Sequence, residues 1–176
     1  GIRSLDQALG GGLRPGRLTL VEADIEAQAN ALLCTVTHRT PEPVLLDGPR
    51  FLENVVWLLA SGGSIPEVVM STLELREGDW PKLAKASAAL ADRNIFVCSA
   101  ASLDDLRHSV ALSTADVLVV RGADRFGPPD TIVPALAELA EWSDVAVVAS
   151  TADPDELPEG AYRDVDRISM LGFNLG

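Results

Sequence analysis

Residues 18–30 read LTLVEADIEAQAN and combine a short apolar run with the start of a helical pattern. We predict a strand over residues 17–23 and a helix over residues 25–38. A strand that passes through a short turn into a helix is the setting that a phosphate-binding loop requires. The order of these elements therefore predicts the architecture of a nucleotide-binding protein.

The turn itself lacks the residues of a working phosphate loop. Such a loop reads GxxxxGK[ST], where glycines allow close backbone approach, the lysine binds phosphates and the hydroxyl binds magnesium. Aligned on this turn, the glycine positions hold Ala23 and Gln28, the lysine position Ala29 and the hydroxyl position Asn30. No other GxxxxGK occurs in the chain. The sequence therefore predicts a nucleotide-binding fold without its phosphate-binding chemistry.

Two carboxylates in the same turn, Asp24 and Glu26, lie where a polyphosphate would bind. One pair of like charges about 4 Å apart costs roughly 4 kcal/mol at an effective dielectric constant near 20. This corresponds to about a thousandfold in affinity. We therefore expect no bound nucleotide or magnesium. The two histidines and two cysteines do not have the spacing of metal ligands.

Apolar strands and amphipathic helices alternate along the rest of the chain. This alternation predicts an α/β fold, with a mainly parallel sheet and helices on both faces. Residues 122–130, with two prolines, are predicted to form a loop. Further strands are predicted at residues 44–46, 95–98, 116–120, 145–149 and 167–171. Further helices are predicted at residues 50–61, 66–75, 80–92 and 131–142, and another begins after a capping residue, Ser102.

The 176 residues and their composition predict a single domain, with an approach segment at residues 1–16 and a core at residues 17–176. A chain of this length buries roughly 70% of its unfolded surface, which is enough for a core without disulfides or metals. The net charge of −12 disfavours nucleic-acid binding by this domain alone, because such binding depends on basic side chains. No apolar run reaches the roughly 18 residues of a membrane span, and no signal peptide is visible. We therefore expect a cytoplasmic protein with reduced cysteines.

The opening GIRSLDQALGGGLRPGRLTL, residues 1–20, resembles the entry to the ATPase core of RecA-like proteins. It is most similar to the carboxyl-terminal domain of bacterial replicative, hexameric DnaB-type helicases. The resemblance continues in the same order and spacing over nearly the whole chain, at residues 57–61, 78–83, 90–92, 95–97, 102–107, 118–120 and 145–150. It implies a three-layer RecA-like (P-loop NTPase-type) fold, ATP-dependent DNA helicase activity in the family, and ATP and magnesium as the family's cofactors.

The departures from the family pattern fall on its chemistry. Arg121 stands where a strand of the family ends in a magnesium-organising aspartate. Gly48 stands at the family's catalytic glutamate, although Asp47 is one residue away and a shift in register would supply a carboxylate. Asp124 replaces the family's glutamine sensor. The family's basic finger matches only weakly, at Arg163 or Arg167.

No catalytic, cofactor-binding or metal-binding residue is therefore predicted, and the positions of the former nucleotide site are vestigial. Arg121 follows a strand whose end is expected beside those of the strands before Asp24 and Asp47. We therefore hypothesise that Arg121 pairs with one of these acids and closes the vacated pocket. The vestigial positions are Ala23, Asp24, Glu26, Gln28, Ala29, Asn30, Gly48, Arg121 and Asp124.

The leading interpretation is a catalytically degenerate helicase-like protein that has kept its fold as a protein-interaction scaffold linked to DNA replication or repair. A protein partner or self-association is expected, since the acidic composition disfavours DNA. One alternative is a divergent ATP-dependent helicase or ATPase, in which Asp47, Asp124 and Glu22 hold magnesium. Another is a nucleic-acid-binding module that works without ATP, with Arg121, Arg125, Arg163 and Arg167 as contacts.

Overall fold

The computed structural model describes residues 11–22, 26–151 and 165–169, without the side chains of residues 22, 26, 27, 167 and 169. Strands and helices alternate through these ranges, as the sequence pattern predicts. The strands are β1 Leu18–Glu22, β2 Val44–Asp47, β3 Ile95–Cys98, β4 Val117–Val120, β5 Ala146–Ser150 and β6 Val165–Ser169. The α-helices are α1 Glu26–Arg39, α2 Phe51–Gly63, α3 Glu67–Thr72, α4 Trp80–Ala91, α5 Leu103–Leu112 and α6 Pro129–Ser143.

The strands form one sheet in the order β3-β2-β4-β5-β1-β6, and every neighbouring pair is parallel. The chain moves outward from β1 to β2 and β3, then returns through β4 and β5 to the neighbourhood of β1. Crossovers between parallel strands are right-handed. The reversal of direction therefore puts α1 and α2 on one face of the sheet and α5 and α6 on the other.

An apolar core lies on each face of the sheet, which confirms the three-layer arrangement. Strand β4 shows how successive side chains contribute to the two cores in turn. Val117 and Val119 pack in the core that contains α1 and α2. Leu118 and Val120 pack in the core that contains α5 and α6. Successive side chains of a strand point to opposite faces. A strand buried on both sides therefore reads as an uninterrupted apolar run, the pattern that predicts a parallel sheet covered by helices.

Local sequence signals set several helix boundaries. The Ser102 hydroxyl accepts a hydrogen bond from the Asp105 amide at 3.1 Å, which confirms the predicted cap of α5. Pro81 lies in the first turn of α4, after Asp79. The Asp79 side chain does not cap this helix. Its carboxylate accepts hydrogen bonds from the amide of Arg76 and from Lys82. The predicted short helix between residues 66 and 75 is α3.

Several predicted boundaries are wrong. The helices α2 and α3 end at Gly63 and Thr72, and not at the predicted residues 61 and 75. Residues 123–126 of the predicted loop form a 3₁₀ turn, and α6 begins at Pro129, two residues before the predicted start. Proline suits the first turn of a helix because its missing N–H would have no partner there. The last strand begins at Val165, two residues before the predicted start, and residues 170–171 lie outside the described residues. The longest helix that the structure describes, α6, has 15 residues, so none of these helices could cross a membrane.

Candidate functional site

The carboxyl ends of β2 and β4 bring together two of the positions that the sequence singles out. Asp47 ends β2 and Arg121 follows β4, and the Arg121 amide donates to the Asp47 carbonyl at 2.9 Å. Ligands of parallel α/β sheets bind beyond this edge. The side chains around these two residues therefore decide what this edge of the sheet can bind.

The Arg121 side chain turns inward, toward α1 and α2, and is only 8% exposed. Its Nη1 donates to Asn54 Oδ1 at 3.1 Å, and its Nε lies 3.5 Å from Asn30 Oδ1. The guanidinium also lies over the Trp57 ring, 4.5 Å from the ring centre, as in a cation–π contact. The carboxyl end of β4 thus holds a buried cation.

Asn54 connects this arginine to the neighbouring strands. It is fully buried, and its Nδ2 donates to the Cys98 carbonyl at the end of β3, at 3.0 Å. A Cβ atom added at Gly48 would lie 2.1 Å from Asn54 Oδ1, so the space beside Gly48 is filled. Asn54 is not among the site residues predicted from the sequence. A signal was available, because Asn54 lies three and four residues before the inward-facing Trp57 and Leu58 of α2.

The Asp47 carboxylate is fully buried and is held by protein groups on both oxygens. Oδ1 accepts from the Ala100 amide at 2.8 Å and from the Cys98 thiol at 3.4 Å. Oδ2 forms an ion pair with Nη2 of Arg125. Both oxygens of the Asp47 carboxylate are therefore already engaged by protein groups.

The Arg125 side chain reaches Asp47 from the turn after β4, and 19% of this side chain is exposed. Its Nη1 also donates to the carbonyls of Gly122, at 2.8 Å, and of Arg121, and its guanidinium lies over the Phe126 ring. Burial lowers the pKa of Arg125 to about 10. The group nevertheless stays protonated at neutral pH, so its contact with Asp47 is an ion pair.

The hypothesis that Arg121 pairs with Asp47 is wrong, and the pleat of the sheet explains why. Asp47 follows Leu46, which packs toward α1 and α2, so its own side chain points toward α5 and α6. Arg121 follows Val120, which packs toward α5 and α6, so its side chain points toward α1 and α2. The two side chains therefore lie on opposite faces, and Arg125 pairs with Asp47. The other suggested partner, Asp24, lies outside the described residues.

The other vestigial positions are only partly assembled. Asn30 reaches the Arg121 side chain from α1, while Gln28 is exposed and Ala29 is buried. Asp124 lies exposed in the 3₁₀ turn after β4. Ala23 lies outside the described residues, as do Asp24 and Arg163, and the side chains of Glu22, Glu26 and Arg167 are also not described.

A metal centre does not assemble in the described part of the chain. Within residues 11–22, 26–151 and 165–169, no three side chains of the ligand-forming types His, Cys, Asp and Glu come together. Of the magnesium ligands considered for a divergent ATPase, Asp47 is paired with Arg125 and Asp124 is exposed.

A cleft of about 700 Å³ lies beside Arg121, between α1 and α2. Cys34 lines the cleft, and burial raises the pKa of its thiol, although a hydrogen bond with Ser61 opposes this effect. Ser61 also contacts Nε2 of His38 at 2.9 Å. The thiol therefore stays protonated at neutral pH and is a poor nucleophile. The remaining lining residues are Asn30, Ala31, Pro49, Glu53, Trp57, Ala60, Ile65 and Glu67.

Comparisons with known proteins identify the fold. No protein-family model matches the chain, and a search of curated proteins finds no match. Among solved structures, the chain is similar to one described as a DnaB-like replicative helicase and its interactions with primase, with a TM-score of 0.65 and 17% identity. The match covers 87% of this chain and 44% of the helicase chain, so this chain spans less than half the helicase's length. The likeness confirms the predicted RecA-like α/β fold.

Proposed function

We propose that this chain is a cytoplasmic, helicase-like protein of RecA fold that has lost ATP binding and hydrolysis. In this proposal it serves as a protein-interaction scaffold linked to DNA replication or repair. The observation that carries the proposal is the buried ion pair between Asp47 and Arg125. The carboxylate nearest to the family's catalytic position is bound to the protein's own cation.

Recruiting Asp47 to a magnesium ion would require Arg125 to leave it. Withdrawing one partner from a buried ion pair costs about 3–5 kcal/mol. This corresponds to roughly a hundredfold to several thousandfold weaker metal binding. The phosphate loop adds no compensating lysine, because Ala29 occupies that position. Both effects support the loss of magnesium-dependent ATP chemistry.

Calorimetric titration of magnesium-ATP into the purified chain tests the loss of nucleotide binding. We expect no binding heat above that of magnesium chloride alone, up to millimolar ATP. Micromolar affinity would overturn the proposal in favour of a divergent ATPase. Asp124→Ala is the matched variant, because Asp124 is exposed. If a divergent ATPase used Asp124, its ATP hydrolysis should disappear in this variant.

The scaffold role requires a protein partner or a second copy of the chain. The matched helicase structure is described with primase, which makes primase the first replication protein to test. Size-exclusion chromatography with light scattering should show self-association, or a complex with primase from the same organism. A monomer that binds no replication protein and hydrolyses ATP would contradict the proposed role.

The nucleic-acid alternative has weaker support. Two of its four candidate contacts, the buried Arg121 and the partly buried Arg125, use their guanidinium groups to bind protein atoms. Phosphate contacts need cationic groups at the surface. Single-stranded oligonucleotide that shifts the protein's mobility at low salt would favour this alternative.

A further inference from the structure

We infer that the Asp47–Arg125 pair acts as an internal clamp, which fixes the loops at the carboxyl edge of the sheet in one arrangement without any ligand. The inference goes beyond the loss of ATP binding, because it concerns what holds these loops in place. In this role Arg125 is a positioning residue. It acts through Asp47 and through the turn that it closes.

The contacts of the clamp join four adjacent strand ends. Asp47, at the end of β2, binds Cys98 and the amide of Ala100 after β3. The same carboxylate binds Arg125 in the turn after β4. At the start of that turn, the Gly122 amide donates to Ser150 Oγ at the end of β5, at 3.1 Å. The loops after β3 and β4 are thus tied to one carboxylate.

The turn after β4 depends on the same Arg125 guanidinium. Gly122 has a φ of +61°, in the left-handed region, so the chain bends sharply as it leaves β4. Arg125 donates to the carbonyl of Gly122 at 2.8 Å and to that of Arg121. One side chain therefore closes the turn and anchors it to β2.

The burial of Asp47 also supports the clamp. Asp47 is fully buried, so its charge depends on Arg125 for compensation within the protein. The ion pairs of Arg107 with Asp104 and Glu138 are exposed, and such pairs contribute little to stability. The buried pair can therefore hold its loops firmly, whereas the exposed pairs provide a natural control.

Hydrogen exchange of the full chain, followed by mass spectrometry, tests the clamp. We expect Arg125→Met to speed amide exchange at residues 99–102 and 121–127 by about tenfold or more, because local opening no longer breaks the ion pair. Arg107→Met should leave exchange in these two loops within about twofold of wild type. Unchanged exchange in both loops of a folded Arg125→Met protein would overturn the inference.

A double variant separates a local clamp from a general effect on stability. Asp47→Asn with Arg125→Met removes both charges, so no uncompensated carboxylate remains buried. We expect the melting temperature to recover in part, while both loops still exchange at least about tenfold faster than in wild type. Wild-type protection of the loops in the double variant would overturn the inference. If Arg125→Met alone does not fold, the comparison of the double variant with wild type still tests the clamp. Magnesium-ATP calorimetry on wild type gives an independent result for the proposed function.

Discussion

Gly48 lies directly against the side chain of Asn54, so that a Cβ atom at Gly48 would stand 2.1 Å from Asn54 Oδ1. The same oxygen accepts the hydrogen bond from Arg121. A side chain at residue 48 would therefore displace the amide that holds the buried arginine. Residue 48 therefore has no room for a side chain as large as glutamate.

The first prediction concerns this contact. We expect Gly48→Ala to lower the free energy of unfolding by about 1–3 kcal/mol, because Asn54 must move away from Arg121 and Cys98. Urea denaturation measures the change. Gly78→Ala is the matched control, since Gly78 has open space around its Cα atom, and it should change stability by less than about 0.5 kcal/mol. Combining Gly48→Ala with Asn54→Ala should cost less than the two single changes added together, and strict additivity would argue against the contact.

The second prediction tests the cation at the end of β4. Arg121→Asp places a carboxylate at this buried position, beside Asn54 Oδ1. We expect a loss of about 3–5 kcal/mol of unfolding free energy and no gain of ATP hydrolysis. Arg121→Leu loses the same contacts without adding a buried charge, so it should be more stable than Arg121→Asp. Equal stability of the two variants would show that the site tolerates an acid.

The third prediction concerns pH. Burial lowers the pKa of His38 from its ordinary value of 6.5, and Arg93 acts in the same direction, while a hydrogen bond with the Leu58 backbone opposes them. The unfolded chain therefore binds a proton at higher pH than the folded protein does. The free energy of unfolding should consequently fall as the pH is lowered below about 6.5, by at most about 1.4 kcal/mol per pH unit from this group.

Urea denaturation from pH 7.5 to 5 measures this dependence. The part that arises from His38 should disappear in His38→Asn. His108→Gln serves as the control, because His108 is exposed on α5. An identical pH dependence in His38→Asn and wild type would rule out the assignment to His38.

The fourth prediction concerns the start of α5. The Ser102 hydroxyl accepts a hydrogen bond from the Asp105 amide, so Ser102→Ala should lower stability by about 1 kcal/mol. Ser102→Thr keeps the hydroxyl at the N-cap, which accepts from the Asp105 amide and donates to the Asp105 carboxylate, and should stay within about 0.5 kcal/mol of wild type. Thermal denaturation compares the three proteins, and equal destabilisation by alanine and threonine would contradict a capping role.

The layers of the fold could be predicted because single strands carry the signal. In β4, four successive apolar residues alternate between two cores, and only a parallel sheet covered on both faces buries such a run. The start of α6 was less predictable. Pro128 and Pro129 both suggest a loop, and only the backbone direction set by the preceding 3₁₀ turn makes Pro129 the first residue of a helix.

The candidate site was less predictable than the fold, because its contacts depend on the direction of side chains. The sequence brings Asp47 and Arg121 to neighbouring strand ends, as observed, but their separation onto opposite faces follows from the register of the pleat. Arg125 reaches Asp47 through a tight turn that the sequence pattern does not reveal. Asn54 looks like an ordinary helix residue until its alignment with Trp57 and Leu58 shows that it faces inward.

The position of β1 in the sheet has a consequence for synthesis of the chain. Its partners, Ala146–Ser150 and Val165–Ser169, are translated more than a hundred residues later. During translation β1 leaves the ribosome long before either neighbouring strand exists, and its apolar side chains have no sheet to join. Strands that pair over such sequence distances fold slowly, and their folding intermediates expose aggregation-prone apolar surface. During synthesis Leu18–Glu22 should therefore stay unpaired, and prone to aggregation, until the last strands emerge.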